Sequence, residues 1–186
     1  TQNNETRIAT KYSANEENGE IREKERRRKM NIDTINVVFA GIGGQGVILA
    51  SDLLTAAAFR SGFDVKKSEL HGMSQRGGSV SSDVRFGSKV WSPMIPEGKA
   101  DFLVSLAEDQ VEVCRHLLKP GGIVLAPSMF GDYDPGRSIN IAMLGALNAH
   151  LHLSDGIWTQ LLEETFSGNL LPVNQEAFRK GAEFIR

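Results

Sequence analysis

Two short glycine-rich segments hold the residues whose types and spacing could do chemistry. In the first, Gly41, Gly43 and Gly46 keep the spacing G-x-G-x-x-G, with Gly44 and Gln45 between them. This turn follows an apolar run and opens a helical pattern, which is the context in which such a spacing binds dinucleotides. Glycines let a ligand or another chain approach the backbone closely, and the N–H groups at the start of a helix favour an anion.

Three interpretations of this glycine turn stay open on spacing alone. A dinucleotide enzyme usually places an acidic residue at the end of the second strand, about 20 residues further on. Glu69 is the candidate, but a polar glycine-rich loop follows it where a simple βα turn is expected. A contact with a phosphate or a partner chain, or a purely structural turn, fits the spacing better.

The second segment, residues 71–79, is a loop dense in hydrogen-bonding groups. Arg76 offers a planar fork of donors that suits a carboxylate or a phosphate, and His71 could act as an acid, a base or a donor. The alternative is a polar surface loop with a capping histidine and a solvated arginine. Two glycine pairs in neighbouring loops favour a shared ligand or interface site. Its candidate residues are Gly41, Gly43, Gly44, Gln45, Gly46, His71, Ser74, Gln75, Arg76, Gly77 and Gly78.

Other catalytic patterns find little support. Cys114 is the single cysteine, so these residues cannot form an internal disulfide, a four-cysteine iron–sulfur site or a Cys-x-x-Cys zinc site. Cys114 and His116 are two residues apart on a predicted helix, a spacing that points them to different faces. His150 and His152 are expected to be a solvated pair, with no catalytic or metal role.

Composition bounds the class of protein. The 186 residues are 40% hydrophobic, which suits one domain with a substantial core. The net charge of -2 gives no general reason to bind nucleic acid. No apolar run approaches a membrane span, the beginning of the chain lacks the apolar core of a signal peptide, and one cysteine suggests a reducing compartment. A cytoplasmic location is therefore expected.

The first thirty residues differ from the rest. They are polar and contain the basic run Arg26–Lys29, so they are predicted to be a flexible charged tail, able to form a solvated helix, or an upstream extension ahead of a natural start at Met30. A basic patch for a partner surface or for RNA is the alternative. The folded domain is expected to span residues 31–186.

The pattern of apolar, glycine and proline residues predicts the elements around these loops. Gly62 falls where the first helix should be capped. The predicted order is a strand at 35–40, a helix from 47, a strand at 65–70, a β-hairpin of 79–86 with 89–92, a strand at 101–106, a helix at 108–118 stopped by 120–122, a strand at 123–126, and two or three helices from 140. The expected fold class is α/β, a single three-layer domain with a Rossmann-like start and a mixed sheet that carries an antiparallel hairpin.

Several motifs occur in a fixed order, at Gly41–Gly46, Glu69–Val80, Val84–Gly87, Ser92–Pro96 and Asn140–Leu147. Together they resemble the gamma subunit, or gamma domain, of 2-oxoacid:ferredoxin oxidoreductases. The second motif takes the form found in the beta subunit of indolepyruvate ferredoxin oxidoreductases. The resemblance covers roughly residues 31–186.

The resemblance implies a fold like domain III of pyruvate-ferredoxin oxidoreductase and a role in oxidative decarboxylation of a 2-oxoacid, an arylpyruvate in the indolepyruvate branch. Thiamine diphosphate, magnesium and iron–sulfur clusters would belong to a large partner subunit, in a heterodimer or heterotetramer. Coenzyme A would take the acyl group and ferredoxin the electrons. This chain would hold no cofactor alone, would be inactive alone, and could form a homodimer when isolated.

The resemblance also implies that residues 41–46 and 71–79 line the interface near the thiamine or coenzyme A site. Arg76 would contact an anion, and His71 or Gln75 would position it. Two other functions stay open: a stand-alone dinucleotide-binding oxidoreductase, which predicts affinity of the isolated chain for NAD(P) or a flavin, and an interaction module that contacts no ligand.

Overall fold

The computed structural model describes residues 33–71 and 78–185, and of His71 the backbone alone. The predicted tail at 1–30 and most of the polar loop, residues 72–77, therefore lie outside the described residues. The strands are β1 (Ile35–Ile42), β2 (Asp64–His71), β3 (Ser79–Gly87), β4 (Ala100–Ser105) and β5 (Leu118–Leu125). The helices are α1 (Val47–Arg60), α2 (Asp109–Cys114), α3 (Ile139–Leu151), α4 (Asp155–Thr165) and α5 (Leu170–Glu183), with short 3₁₀ turns at Arg115–Leu117, Pro127–Phe130 and Gly136–Ser138.

The five strands form one mixed sheet in the order β2-β3-β1-β4-β5. Only β3 runs antiparallel to its neighbours, because it pairs antiparallel with both β1 and β2, while β4 is parallel to β1 and β5 to β4. The carboxyl ends of β1, β2, β4 and β5 therefore meet at one edge of the sheet. The predicted α/β class with a mixed sheet is confirmed.

The predicted hairpin of 79–86 with 89–92 is wrong in its second arm. The antiparallel partner of β3 is β2, and residues 89–92 form no strand. Side chains of the sheet form hydrogen bonds with the backbone around this segment instead. Asp64 accepts from the N–H of Val90, and Arg85 donates to the carbonyl oxygens of Ser92 and Met94. Alternating polarity predicts an extended chain but does not say what satisfies its hydrogen bonds.

The helix predicted at 108–118 is shorter, because α2 ends at Cys114 and a 3₁₀ turn follows. The expected stop at 120–122 lies inside β5. The β4–β5 register is irregular between Ala100 and Phe102, and a Cβ at Gly122 would stand 3.0 Å from the Ala100 carbonyl oxygen. Proline and glycine are tolerated there because β5 is an edge strand with a bulge.

The main core lies between one face of the sheet and α1, α3, α4 and α5. Val37 and Phe39 of β1 point into it, together with Leu54, Leu147 and Trp158 of the helices. The alternate residues of β1 pack in a second, smaller cluster on the opposite face, which α2 and the segment 88–99 cover. That cluster contains Val38, Ala40, Ile95, Ala100, Leu103 and Cys114. The predicted three layers are thus present, with one outer layer thin.

Helices α3 and α5 cross with their backbones in contact. A Cβ at Gly145 would overlap the carbonyl oxygen of Phe178, and a Cβ at Gly181 would overlap that of Ala142. Within the described residues, the structure contains no helix with the length and apolar character of a membrane span.

Candidate functional site

The glycine turn is held closed by the side chain of Gln45. The N–H of Ile42 donates to Gln45 Oε1 at 2.8 Å, and the N–H of Gln45 donates back to the Ile42 carbonyl at 3.1 Å. A Cβ at Gly41 would stand 2.8 Å from Val47 Cγ2, so β1 and α1 can meet this closely only at a glycine. Gln45, predicted to contact a cofactor, uses its carbonyl oxygen to shape the turn.

Gly44 and Gly46 both have left-handed backbones, with φ of 98° and 83°, but their surroundings differ. Among the described residues, no atom lies within 4 Å of the position of a Cβ at Gly44. A Cβ at Gly46 would overlap Asn140 Nδ2 and stand 3.1 Å from Asn140 Cγ. Gly46 is thus required by packing as well as by its dihedral angle, whereas Gly44 leaves the backbone accessible from outside.

The two glycine-rich corners meet at the carboxyl edge of the sheet. The N–H of Gly43 donates to the Gly78 carbonyl oxygen at 3.0 Å, and Ile42 is paired with Ser79 across the β1–β3 ladder. Because β2 ends at His71 opposite Val80, the polar loop begins and ends at this same edge. The structure therefore brings Gly41–Gly46 together with Gly78. Ser74, Gln75, Arg76 and Gly77 lie outside the described residues.

A shallow hollow of about 300 Å³ opens at this corner. Backbone atoms form much of its wall, since three of its residues are glycines. No side chain of the described residues caps the first turn of α1, and that turn contains no acidic residue. Its N–H groups can therefore receive an anion. The lining residues are Ile42, Gly43, Gly44, Gly46, Val47, Ile48 and Val80.

Two larger hollows, of about 470 and 480 Å³, lie in the helical layer and share Asp155, Phe178 and Ala182. Neither contains a residue of the glycine corners. The corner is the better candidate site despite its smaller volume, because it combines accessible backbone N–H groups, a helix start and two converging loops.

Polar side chains that sequence reasoning missed bridge the loops along the same edge. Ser79 Oγ and Gln110 Oε1 are 2.6 Å apart, so the start of β3 is tied to α2. Glu108 accepts from the N–H and Oγ of Ser128 and so joins the loops after β4 and β5. Glu108 and Gln110 closely follow β4, and Ser128 closely follows β5. The sequence could have indicated these residues by that position, since the carboxyl ends of parallel strands share an edge.

Glu69, the acidic candidate for a ribose contact, is bound to a lysine of the same strand. Lys67 Nζ donates to Glu69 Oε1 at 2.6 Å and to Asp52 Oδ1 of α1 at 2.5 Å. Burial lowers the pKa of Lys67, but the hydrogen bonds to the two carboxylates outweigh burial and raise it. The acidic residue that the dinucleotide interpretation needs therefore forms an ion pair with a lysine between α1 and the sheet.

The remaining titratable candidates do not form a second site. Cys114 is buried, and burial, followed by the charge of Asp83, raises the pKa of its thiol, which disfavours a nucleophile. The prediction of a solvated histidine pair is wrong for His150, whose ring lies 5.7 Å from that of Phe102 and whose pKa burial lowers. His152 is exposed and closes α3. Among the residues described here, no three of His, Cys, Asp and Glu gather as a metal site would require.

Known structures share this fold. A 2-oxoglutarate:ferredoxin oxidoreductase from Magnetococcus marinus, solved with 2-oxoglutarate, coenzyme A and succinyl-CoA bound, superposes with a TM-score of 0.71 at 24% identity. The match covers 82% of this chain and 31% of that one. The gamma subunit of a keto/oxoacid ferredoxin oxidoreductase from Geobacter sulfurreducens gives 0.67 at 23% identity, over 82% of this chain and 97% of that one.

Relatives found by sequence have higher identity to this chain than these two structures. Indolepyruvate oxidoreductase subunit IorB from Thermococcus kodakarensis is 39% identical over 143 residues, which cover 76% of this chain and 65% of that protein. The chain thus spans just under two thirds of the length of this relative. Pyruvate synthase subunit PorC from Methanothermobacter thermautotrophicus is 30% identical over 181 residues, 81% of this chain and 96% of that protein.

The family model described as pyruvate ferredoxin/flavodoxin oxidoreductase matches residues 36–135, which is more than half of the chain. The matched range contains the glycine turn, all of β1 except Ile35, β2 to β5, and both corners of the candidate site. Together with a relative that is 30% identical along nearly its whole length, this match shows that the chain belongs to the pyruvate ferredoxin/flavodoxin oxidoreductase family.

Proposed function

We propose that this chain is the small subunit of a thiamine-diphosphate-dependent 2-oxoacid:ferredoxin oxidoreductase that acts on indolepyruvate or another arylpyruvate. Two relatives named as indolepyruvate oxidoreductase subunits are each 39% identical to it. Relatives named for ketoisovalerate and pyruvate are 28% and 30% identical. The higher identity to the indolepyruvate subunits favours an aryl substrate. A cytoplasmic location is part of the same proposal.

One observation supports the place of this chain in the reaction: the hydrogen bond from Gly43 to Gly78 that joins the two corners at the carboxyl edge. The corner presents the first turn of α1 and Gly44, whose Cβ position has no atom of residues 33–71 or 78–185 within 4 Å. Such a surface is suited to a phosphate group held mainly by another chain. Arg76 is the proposed anion contact, with His71 or Gln75 positioning it.

The redox and thiamine chemistry is assigned to a larger partner subunit. The sequence contains one cysteine, so the usual four-thiolate cluster cannot be built from it. In the proposed reaction the partner's thiamine diphosphate, with magnesium, decarboxylates the 2-oxoacid. Coenzyme A takes the acyl group, and iron–sulfur clusters carry the released electrons to ferredoxin.

The proposal is tested by coexpressing this chain with the large subunit and assaying the complex with indolepyruvate, coenzyme A and a viologen acceptor. We expect turnover by the complex and none by either chain alone. We expect Arg76→Ala to lower kcat/KM by at least about tenfold, because a charge-assisted contact is lost.

Arg60→Ala is the matched control for Arg76→Ala. Arg60 lies at the far end of α1 and pairs with Glu164 in the helical layer, so its loss should leave kcat/KM unchanged. Equal kinetics for the two variants would refute the role of Arg76. Turnover by the isolated chain with NAD(P) would overturn the subunit assignment in favour of a stand-alone oxidoreductase.

A further inference from the structure

The first turn of α3 packs against the start of α1, far away in sequence. Asn140, at the beginning of α3, is 5% exposed. Its Nδ2 donates to the Gly46 carbonyl oxygen at 3.4 Å, and it occupies the space that a side chain at Gly46 would need. The same carbonyl accepts the N–H of Ala50 at 3.0 Å, the first hydrogen bond within α1. Asn140 therefore contacts Gly46, the residue directly before α1.

The orientation of the Asn140 amide is fixed by its two partners. Its Oδ1 accepts from the N–H of Ile141 at 3.0 Å, and the group that meets the Gly46 carbonyl must be a donor. The amide NH₂ can satisfy that carbonyl, whereas a carboxylate in its place would put one oxygen against another. The contact thus depends on an amide at this position and not only on a side chain of suitable size.

We propose that Asn140 is a positioning residue, which fixes the first turn of α1 so that its N–H groups hold a phosphate of coenzyme A or of thiamine diphosphate. This inference rests on the proposed function. Asn140 does not line the corner hollow, whose wall includes Gly46, Val47 and Ile48. It acts through its contact with Gly46.

The test compares Asn140→Ala and Asn140→Asp with Asn148→Ala, all in the reconstituted complex. Asn148 is a matched control: it is in the same helix, is 7% exposed, and uses its amide to bind both the N–H and the carbonyl of Leu153 at the other end of α3. Asn148→Ala therefore removes a buried amide of similar structural weight that has no contact with the glycine turn.

We expect both Asn140 variants to weaken the apparent affinity for coenzyme A or for thiamine diphosphate about tenfold, the effect of one lost buried hydrogen bond, with a smaller change in kcat. Asn148→Ala should leave both affinities unchanged. In the isolated chain, hydrogen exchange of the Ala50 amide should be faster in both Asn140 variants than in the parent, and unchanged in Asn148→Ala. If the Asn140 variants match Asn148→Ala in affinity and in exchange, the positioning role is refuted.

Gly44→Ala separates failure of this inference from failure of the proposed function. A loss of affinity in Gly44→Ala without one in the Asn140 variants would overturn only the role of Asn140. Unchanged affinities in both would overturn the placement of the ligand at the glycine corner, and the role of Asn140 with it.

Discussion

Glycines serve opposite purposes in two regions of this molecule. At the crossing of α3 and α5, Gly145 and Gly181 bring two backbones into contact, and a Cβ on either residue would overlap a carbonyl oxygen. At the corner after β1, no atom in the part of the chain that the structure describes lies within 4 Å of the Cβ position of Gly44. At the crossing, the absence of a side chain lets two backbones pack against each other. At the corner, it leaves space open next to the backbone. Substitution should therefore affect folding in the first region and binding in the second.

The largest effect is expected from Gly145→Ala or Gly181→Ala. The added methyl group meets backbone atoms of the facing helix, which cannot rotate away, so unfolding free energy should fall by about 3 kcal/mol or more, or the chain should fail to fold. Urea denaturation followed by circular dichroism measures this change.

Gly156→Ala is the control for the helix crossing. Gly156 lies in α4, and the nearest atom to its Cβ position is Ser154 Oγ at 3.7 Å. Because alanine is the better helix former, this variant should be as stable as the parent or more stable, by up to about 1 kcal/mol. A stable Gly145→Ala variant would show that the two backbones can separate at little cost in free energy. It would contradict the proposed difference between the glycines of the crossing and those of the corner.

An intermediate effect is expected from Gly46→Ala, which combines both properties. Its backbone is left-handed, and its Cβ would overlap the Asn140 amide, so we expect a loss of about 2–4 kcal/mol. Part of this loss should disappear in the double variant with Asn140→Ala, since the smaller side chain vacates the space. A double-mutant cycle in urea measures that coupling, and strict additivity of the two losses would contradict the contact.

The smallest effect on stability, and the most selective one on function, is expected from Gly44→Ala. The left-handed backbone costs about 1–2 kcal/mol with no added clash. Gly98→Ala is its control, because Gly98 also has a positive φ, of 69°, and open space around it, but lies in the segment before β4, outside the corner. Thermal denaturation should show similar losses for both variants, while only Gly44→Ala should lower kcat/KM of the complex. Equal kcat/KM values for Gly44→Ala and Gly98→Ala would mean that neither a ligand nor a partner chain occupies the space next to Gly44.

Much of the fold could be predicted because its signals are local. The apolar run before Gly41 and the helical spacing after Gly46 predicted β1 and α1. The predicted cap is confirmed by Gly62, whose N–H donates to the Phe59 carbonyl at 2.8 Å while the N–H of Phe63 donates to that of Ala58. These features depend on residues a few positions apart, so the pattern of the chain contains them.

The candidate site could be predicted only in part. The glycine turn and the polar loop were identified, but not the hydrogen bond between Gly43 and Gly78 or the contact of Asn140 with Gly46. Gln45 Oε1 accepts from the N–H of Ile42 and closes the turn, while its expected contact with a ligand stays a prediction. Which group a side-chain oxygen binds depends on geometry, which residue types do not reveal.

The sequence by itself determined the α/β class, the positions of most strands and helices, and the glycine turn, because hydrophobic periodicity and backbone freedom act over a few residues. Only the tertiary structure decided that β3 lies between β2 and β1, that Glu69 pairs with Lys67, and that Asn140 supports a turn 94 residues away. Such contacts depend on which surfaces meet when the sheet assembles and its helices pack against it, and no local pattern encodes that choice.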